Sequence, residues 1–175
     1  MKHYLKDLKG KLCIFLILAM LLVGLVPIIA ATTADVTVTA TFAFVGISAN
    51  ASSYNFGVVA ASSTTNTPLT LVAITNSSTV ATNITISVTA STWTGGVAWT
   101  HSDTATPGAD TVGLKAGKTG GSVSDVIVKY ASPNAIYSNC PASTNFTYGM
   151  QLLAPTSGSD GVQKSNTVRL TAAAA

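Results

Sequence analysis

The feature that most constrains the fold of this chain is a strict alternation of apolar and hydroxyl side chains in the stretch Asp35–Val45. A period of two, built from β-branched and aromatic residues, is typical of a half-buried β-strand. The alternation places five apolar side chains on one face of this strand: Val36, Val38, Ala40, Phe42 and Phe44. No charged residue follows Asp35 in the stretch, so no charge protects its edges from pairing with another strand.

Further strand candidates recur along the chain, separated by turns rich in Ser, Thr, Asn, Gly and Pro. Ile84–Ala90, Phe146–Leu153 and Thr167–Ala172 each place their apolar residues on one face. The other candidates are Asn55–Val59, Leu69–Thr75, Val97–Thr100, Val112–Ala116 and Val126–Ala131. No helical period is found after the N-terminal leader. The chain is therefore predicted to be all-β, an antiparallel sandwich of about seven to nine strands that follows an N-terminal hydrophobic signal helix.

Residues 1–34 are predicted to be a secretory signal peptide. A basic segment that ends at Lys11 precedes an apolar run, and Pro27 and several small residues follow it. Cleavage after Ala34 is favoured, although Ala30 and Ala31 also satisfy the small-residue rule. Residues 35–175 would then form one secreted domain, with 35–45 as an N-terminal strand that two copies could exchange.

Two alternatives remain open for this leader. Leu12–Ala31 is long enough to be an uncleaved membrane anchor. Lys9-Gly10 before an apolar helix also resembles a type IV prepilin leader, which implies a pilin-like subunit with a helical N-terminal core. Lys11, the absence of glutamate and Pro27 depart from that pattern. If the leader is cleaved, the protein contacts the membrane only transiently.

The basic charge of the chain is confined to the leader. Its first eleven residues hold four lysines and one aspartate, whereas the remaining residues hold five basic and five acidic side chains. From Val36 to Ser102 the chain has no Asp, Glu, Lys or Arg. This pattern gives no support for nucleic-acid binding. A surface made polar by hydroxyls and amides is typical of exported fibres and layers.

Side chains that commonly carry enzyme chemistry are sparse. Glutamate is absent, His101 is the one histidine beyond the leader, and no Gly-x-Ser-x-Gly motif is present. The protein is therefore predicted not to be an enzyme and to need no cofactor. Asp103 and Asp110 share a loop and are candidate calcium ligands, although a calcium site needs several more oxygen atoms. Capping of turns is the alternative role for these two aspartates.

Aromatic residues and amides suggest three further kinds of site. Trp93 and Trp99 flank a glycine turn, so they are candidates either for stacking on a carbohydrate or for packing in the core. Cys140 is the single cysteine after the leader, which leaves a disulfide between molecules or a buried thiol. Candidate glycosylation sites lie in four Asn-x-Ser/Thr sequences, at Asn50, Asn76, Asn83 and Asn145.

Two parts of the chain resemble immunoglobulin-like domains. Tyr54–Val59, the strand and turn Leu69–Ser78 and the return strand Asn83–Val88 are similar to the opening of many such domains. Leu152–Ala172 is similar to their closing hairpin. The chain after the leader also resembles small Thr-rich secreted proteins of environmental bacteria and archaea. The resemblance implies an immunoglobulin-like sandwich and a secreted or cell-surface location, and it specifies no function.

Two functions are compatible with these features. In the first, the strand Asp35–Val45 enters a neighbouring copy and builds a filament, which resembles the logic of archaeal threads, bundling pili and biofilm-matrix fibres. Covering its apolar face would contribute roughly 6–10 kcal/mol as an upper estimate. In the second, the protein is a monomeric adhesion or carbohydrate-binding module that keeps its own strand. Its recognition surface would be the loops around Trp93–Trp99 and Asp103–Asp110.

Overall fold

The computed structural model describes residues 39–40, 43–158 and 160–175. These residues form eleven β-strands and no helix. They therefore contain no helix that could span a membrane. The strands are β1 (Ile47–Ala49), β2 (Thr64–Asn66), β3 (Val72–Asn76), β4 (Thr82–Val88), β5 (Thr92–Trp93), β6 (Trp99–Ser102), β7 (Thr111–Lys118), β8 (Val126–Ile127), β9 (Asn134–Cys140), β10 (Phe146–Leu153) and β11 (Val168–Ala174). The all-β prediction is confirmed. The predicted signal helix lies outside the described residues.

The strand count exceeds the prediction because several strands are very short. Strands β1, β2 and β5 have two or three residues each, too few to show an alternation in the sequence, and β9, with seven residues, was not predicted either. The predicted strand Phe146–Leu153 coincides with β10. The predicted strand Asn55–Val59 is wrong, because this segment forms a turn instead. The side chain of Asn55 accepts the backbone N–H of Gly57 at 2.9 Å, and Gly57 has a positive φ of 72°.

The strands form two sheets. The larger sheet has the order β1-β3-β10-β7-β6-β5, with β2 paired to β10 and β8 paired to β7. The smaller sheet has the order β11-β4-β9. The pairs between these strands are antiparallel except for the parallel pair β6–β7. The predicted two-sheet antiparallel architecture is therefore confirmed.

The apolar faces of the two sheets form one core. Strand β4 of the smaller sheet contributes Ile84, Ile86 and Val88, which are at most 2 % exposed. The larger sheet contributes the matching faces of its strands to the same cluster: Val72, Ile74, Val112, Leu114, Ala116, Phe146, Tyr148, Met150 and Leu152. Alternate residues of each strand thus face the other sheet, as the sequence pattern requires for a sandwich.

A buried asparagine ties the end of β3 to β4 and β9. Asn76 is 1 % exposed, and its Nδ2 donates to the carbonyl oxygen of Pro141 at 3.0 Å and to Thr82 Oγ1 at 3.3 Å. Its Oδ1 accepts the backbone N–H of Ser78 at 3.0 Å. The side chain therefore satisfies buried polar groups that the turn between the two sheets would otherwise leave unpaired.

Replacing Asn76 by alanine should lower the free energy of unfolding by about 2–4 kcal/mol, because a buried N–H and a carbonyl lose their partners. Asn145→Ala is the matched control, since Asn145 is exposed. The control should change stability by less than about 0.5 kcal/mol. Urea unfolding followed by circular dichroism measures both. Equal losses in the two variants would contradict the structural role of Asn76.

Candidate assembly interface

Upstream of β1 the chain stays hydrogen-bonded to the turn that follows β3. Strand β1 pairs with β3 so that Ile47 lies opposite Asn76. The same register continues beyond β1, because the backbone N–H of Ser77 donates to the Gly46 carbonyl at 3.0 Å and that of Thr79 donates to the Phe44 carbonyl at 2.9 Å. Backbone pairing of one register thus runs from Ala49 back to Phe44.

Hydroxyl groups reinforce this pairing. Thr79 Oγ1 accepts the backbone N–H of Phe44 at 2.9 Å, and Ser78 Oγ accepts that of Gly46 at 3.0 Å. A Cβ atom at Gly46 would lie 2.8 Å both from Cε1 of Phe44 and from Oγ of Ser77, so only glycine fits there without displacement. The turn after β3 therefore fixes the point at which the upstream chain leaves the sandwich. We call Phe44–Ala49 with its partners Ile74–Thr79 the N-terminal anchor.

The predicted assembly strand lies partly outside the described residues, which omit Val36, Val38 and Phe42. Thr39, Ala40 and Ala43–Val45 are described and belong to no strand. Phe44 is 54 % exposed, and Ala40 is also exposed. A strand needs a neighbouring strand for its backbone hydrogen bonds, and beyond the anchor no described residue supplies one.

Among the described residues, β11 is an outer strand of the smaller sheet, paired on one side alone, a feature that sequence inspection missed. It pairs with β4 over seven consecutive residues without a register shift. At one end of β11, Thr89 N donates to Thr167 O, and at the other end Ala175 N donates to Ala81 O. The odd-numbered residues of β11 are therefore the ones that bond to β4. In an antiparallel ladder the alternate residues point their N–H and C=O the other way. These outward groups belong to Val168, Leu170, Ala172 and Ala174.

The apolar side chains of β11 are less covered than those of its neighbour. Val168, Leu170 and Ala172 pack against the core but stay only partly buried, whereas the facing residues of β4 are almost fully buried. Among the other edges that the structure describes, β1, β2 and β5 have two or three residues, and β9 joins β4 through register shifts. Strand β11 is thus the long and regular edge of this sandwich.

The two tryptophans do not form an exposed platform. Trp93 is 8 % exposed, and its Nε1 donates to Nδ1 of His101 at 3.4 Å. Because Nδ1 accepts that bond, the His101 proton sits on Nε2, which donates to the Val128 carbonyl at 2.7 Å. Trp93 is therefore a core residue rather than a stacking surface. Trp99 is partly buried, with the Nζ of Lys164 5.8 Å from its ring centre.

The aspartates predicted as calcium ligands serve different segments. Both oxygens of Asp103 accept backbone N–H groups, from Tyr130 at 2.6 Å and from Ala131 at 3.5 Å. Asp110 lies in the turn before β7 and has a positive φ of 46°. Within the described residues, no group of three or more His, Cys, Asp or Glu side chains is placed to hold a metal ion. Asp103 therefore fits the alternative role of capping a turn.

Burial separates the four candidate glycosylation sites. Asn50 and Asn145 are exposed, and Asn83 is partly buried with its Oδ1 accepting the backbone N–H of Asn139 at 3.0 Å. A glycan on Asn76 is incompatible with its buried hydrogen bonds, so that prediction is corrected. Cys140 is fully buried as well, 3.4 Å from Nδ2 of Asn76. The folded domain therefore cannot present this thiol to a second molecule.

Asp160 joins two loops next to Trp99. Its carboxylate accepts the backbone N–H groups of Val97 and Val162 and an ammonium hydrogen of Lys164. The hydrogen bond from Lys164, followed by that from Val97, holds the pKa of Asp160 below its ordinary value. Val97 and Val162 are about half exposed, at 50 % and 52 %. The loop pair is thus an ordered apolar tip held together by one carboxylate.

Comparisons of the chain with protein-family models, with curated proteins and with solved structures found no match. The resemblance to immunoglobulin-like surface proteins therefore stays a prediction. The geometry of the N-terminal anchor and of the β11 edge is the basis on which a function can be proposed.

Substituting Gly46 by alanine should loosen the N-terminal anchor, because the new methyl group would overlap Phe44 and Ser77. Limited proteolysis should then cleave within 44–49 about two- to fivefold faster than in the wild type, which corresponds to a local destabilisation of about 0.4–1 kcal/mol. Gly161→Ala is the control, since a Cβ there meets no atom within 4 Å. Unchanged cleavage in Gly46→Ala would show that the anchor does not depend on close approach at this residue.

The contribution of Asp160 to stability should depend on pH. Because its folded-state pKa is lowered, this contribution is present above the pKa of the unfolded carboxyl, about 3.9, and is lost as the pH falls through the folded value. The difference in unfolding free energy between wild type and Asp160→Asn should stay constant above about pH 5 and shrink below about pH 4. Lys164→Met removes the largest cause of the shift and should weaken this dependence. A difference that does not shrink on acidification would contradict the assignment.

Proposed function

We propose that the protein is a secreted structural subunit that assembles into a filament by donating its strand Asp35–Val45 to another copy. The observation that carries this proposal is the N-terminal anchor. It pairs Phe44–Ala49 with the sandwich, while the described residues upstream of it are exposed and belong to no strand. The alternating sequence of Asp35–Val45 predicts a strand, and a neighbouring molecule is its proposed partner.

The direction of the chain at the anchor supports donation to another molecule. The segment Phe44–Ala49 runs antiparallel to β3 in a single register, and its pairing continues past the end of β3 at Asn76 as far as Thr79. Val36–Val45 contains no Gly, Pro, Asn, Asp or Ser, the residues that tight turns favour. The segment therefore has no sequence signal for reversing direction and returning to its own sandwich.

The energy available from this strand is sufficient for assembly. Burial of the four apolar side chains upstream of the anchor, Val36, Val38, Ala40 and Phe42, contributes roughly 5–9 kcal/mol as an upper estimate. The stability of an entire domain is about 5–15 kcal/mol. An apolar face of this size that stays in water is an aggregation hazard, and burial in a partner removes it. Because donor and acceptor surfaces differ, the contact is heterologous and continues from copy to copy.

Secretion and a cell-surface or extracellular location are parts of the same proposal. They rest on the predicted signal peptide, residues 1–34, and on the charge-free surface chemistry of Val36–Ser102. The monomeric binding module is less well supported, because the ring of Trp93 is buried in the core. No catalytic role is proposed, since both ring nitrogens of His101 are engaged in structural hydrogen bonds.

The full chain, expressed with its leader and recovered outside the cell, should form linear polymers visible by electron microscopy. Val38→Asp puts a charge on the apolar face of the donor strand and should yield monomers in size-exclusion chromatography. Thr39→Asp is the matched control, because it puts the same charge one residue further on and hence on the opposite face. The control should still polymerise. A wild-type protein that stays monomeric at high concentration would contradict the proposed function.

A further inference from the structure

The proposed function leaves open which surface receives the donated strand, and the open edge of β11 has the required properties. Its outward N–H and C=O groups belong to Val168, Leu170, Ala172 and Ala174, and no described residue outside β4 pairs with the strand. Unpaired backbone groups in a regular row are what an added strand requires. We propose that β11 of one copy accepts Val36–Phe42, the part of the strand Asp35–Val45 that lies upstream of the anchor, from a second copy, an inference that rests on the proposed function.

The lengths of donor and acceptor agree. Strand β11 has seven residues. The N-terminal anchor occupies the chain from Phe44 onward, and Val36–Phe42 upstream of it also comprises seven residues. At about 3.3 Å per residue, each spans about 23 Å. The donor can therefore pair along the whole acceptor while its own sandwich keeps the anchor intact.

The faces of the two strands also agree. On β11, Val168, Leu170 and Ala172 face the core, whereas Arg169, Thr171 and Ala173 are exposed. A strand added to this edge would also place its alternate side chains on the core face and on the exposed face of the sheet. The valines and Phe42 of the donor would then extend the core face and cover the partly buried side chains of β11. The threonines of the donor would join the exposed face beside Thr171.

A second copy fits this edge better than the molecule's own N-terminal segment does. Both backbone groups of Phe44 bond to Thr79, which holds the segment on the larger sheet, whereas β11 belongs to the smaller sheet. To reach its own β11, the chain would have to reverse within Val36–Ala43, where turn-forming residues are absent. A donor strand that does not reverse would pair with the edge of another copy instead.

Two neighbouring proline substitutions test the acceptor. Ala172→Pro removes an outward N–H while the hydrogen bonds from β11 to β4 stay intact, so the variant should fold like the wild type but form no polymers. Thr171→Pro removes an N–H that bonds to β4, so it should instead lower the thermal midpoint of unfolding by several degrees. Circular dichroism and size-exclusion chromatography of the secreted full-chain variants give both readouts. Polymers of Ala172→Pro as long as those of the wild type would overturn the inference and leave the proposed function standing.

Mixing of two variants provides a second test that does not depend on the stability of either. Val38→Asp retains an intact β11, and Ala172→Pro retains an intact donor strand. Each should be monomeric alone, and an equimolar mixture should give a species of twice the monomer mass and nothing longer, as measured by light scattering. A mixture that stays monomeric would overturn the assignment of β11 as acceptor. Absence of wild-type polymers in the same experiment would refute the proposed function itself.

Discussion

The backbone hydrogen bonds at the edges of the two sheets are the constraint on which this structure depends. Every edge strand leaves alternate N–H and C=O groups without a partner in its own sheet. The larger sheet limits this exposure with edge strands of two or three residues, and β9 is irregular where it meets β4. Strand β11 is neither short nor irregular, because it pairs with β4 over seven residues without a register shift. Among the described residues, β11 is therefore a regular edge with no strand on its outer side, which is the kind of edge that β-strand addition requires.

From Val36 to Ser102, polar residues with hydroxyl or amide groups take the place of Asp, Glu, Lys and Arg. Asn76 satisfies the polar groups of the turn between β3 and β4, and Ser77, Ser78 and Thr79 of that turn hold the incoming chain at Phe44 and Gly46. These groups bond to the backbone of Phe44 and Gly46 and carry no charge. The same turn thus closes the sandwich and holds the chain at the N-terminal anchor.

The sequence predicts those parts of the fold that depend on local periodicity. Phe146–Leu153 and the faces of β4 follow from alternation alone, because a period of two determines which side chains face the core. Features set by distant partners were not predictable. Asn76 reads as a turn residue and a glycosylation sequence, yet it is buried against Cys140, 64 residues away. Thr167–Ala172 was recognised as a strand, but its position at a sheet edge depends on the order of the whole sheet.

Residue-resolved hydrogen exchange in the assembled protein, compared with the Val38→Asp monomer, tests the central claim most directly. The backbone amides of Leu170 and Ala172 point away from β4 and should exchange at least about 100-fold more slowly after assembly. Those of Arg169 and Thr171 already bond to β4 and should change little. If the outward amides exchange as fast in the assembly as in the monomer, β11 does not receive the donated strand.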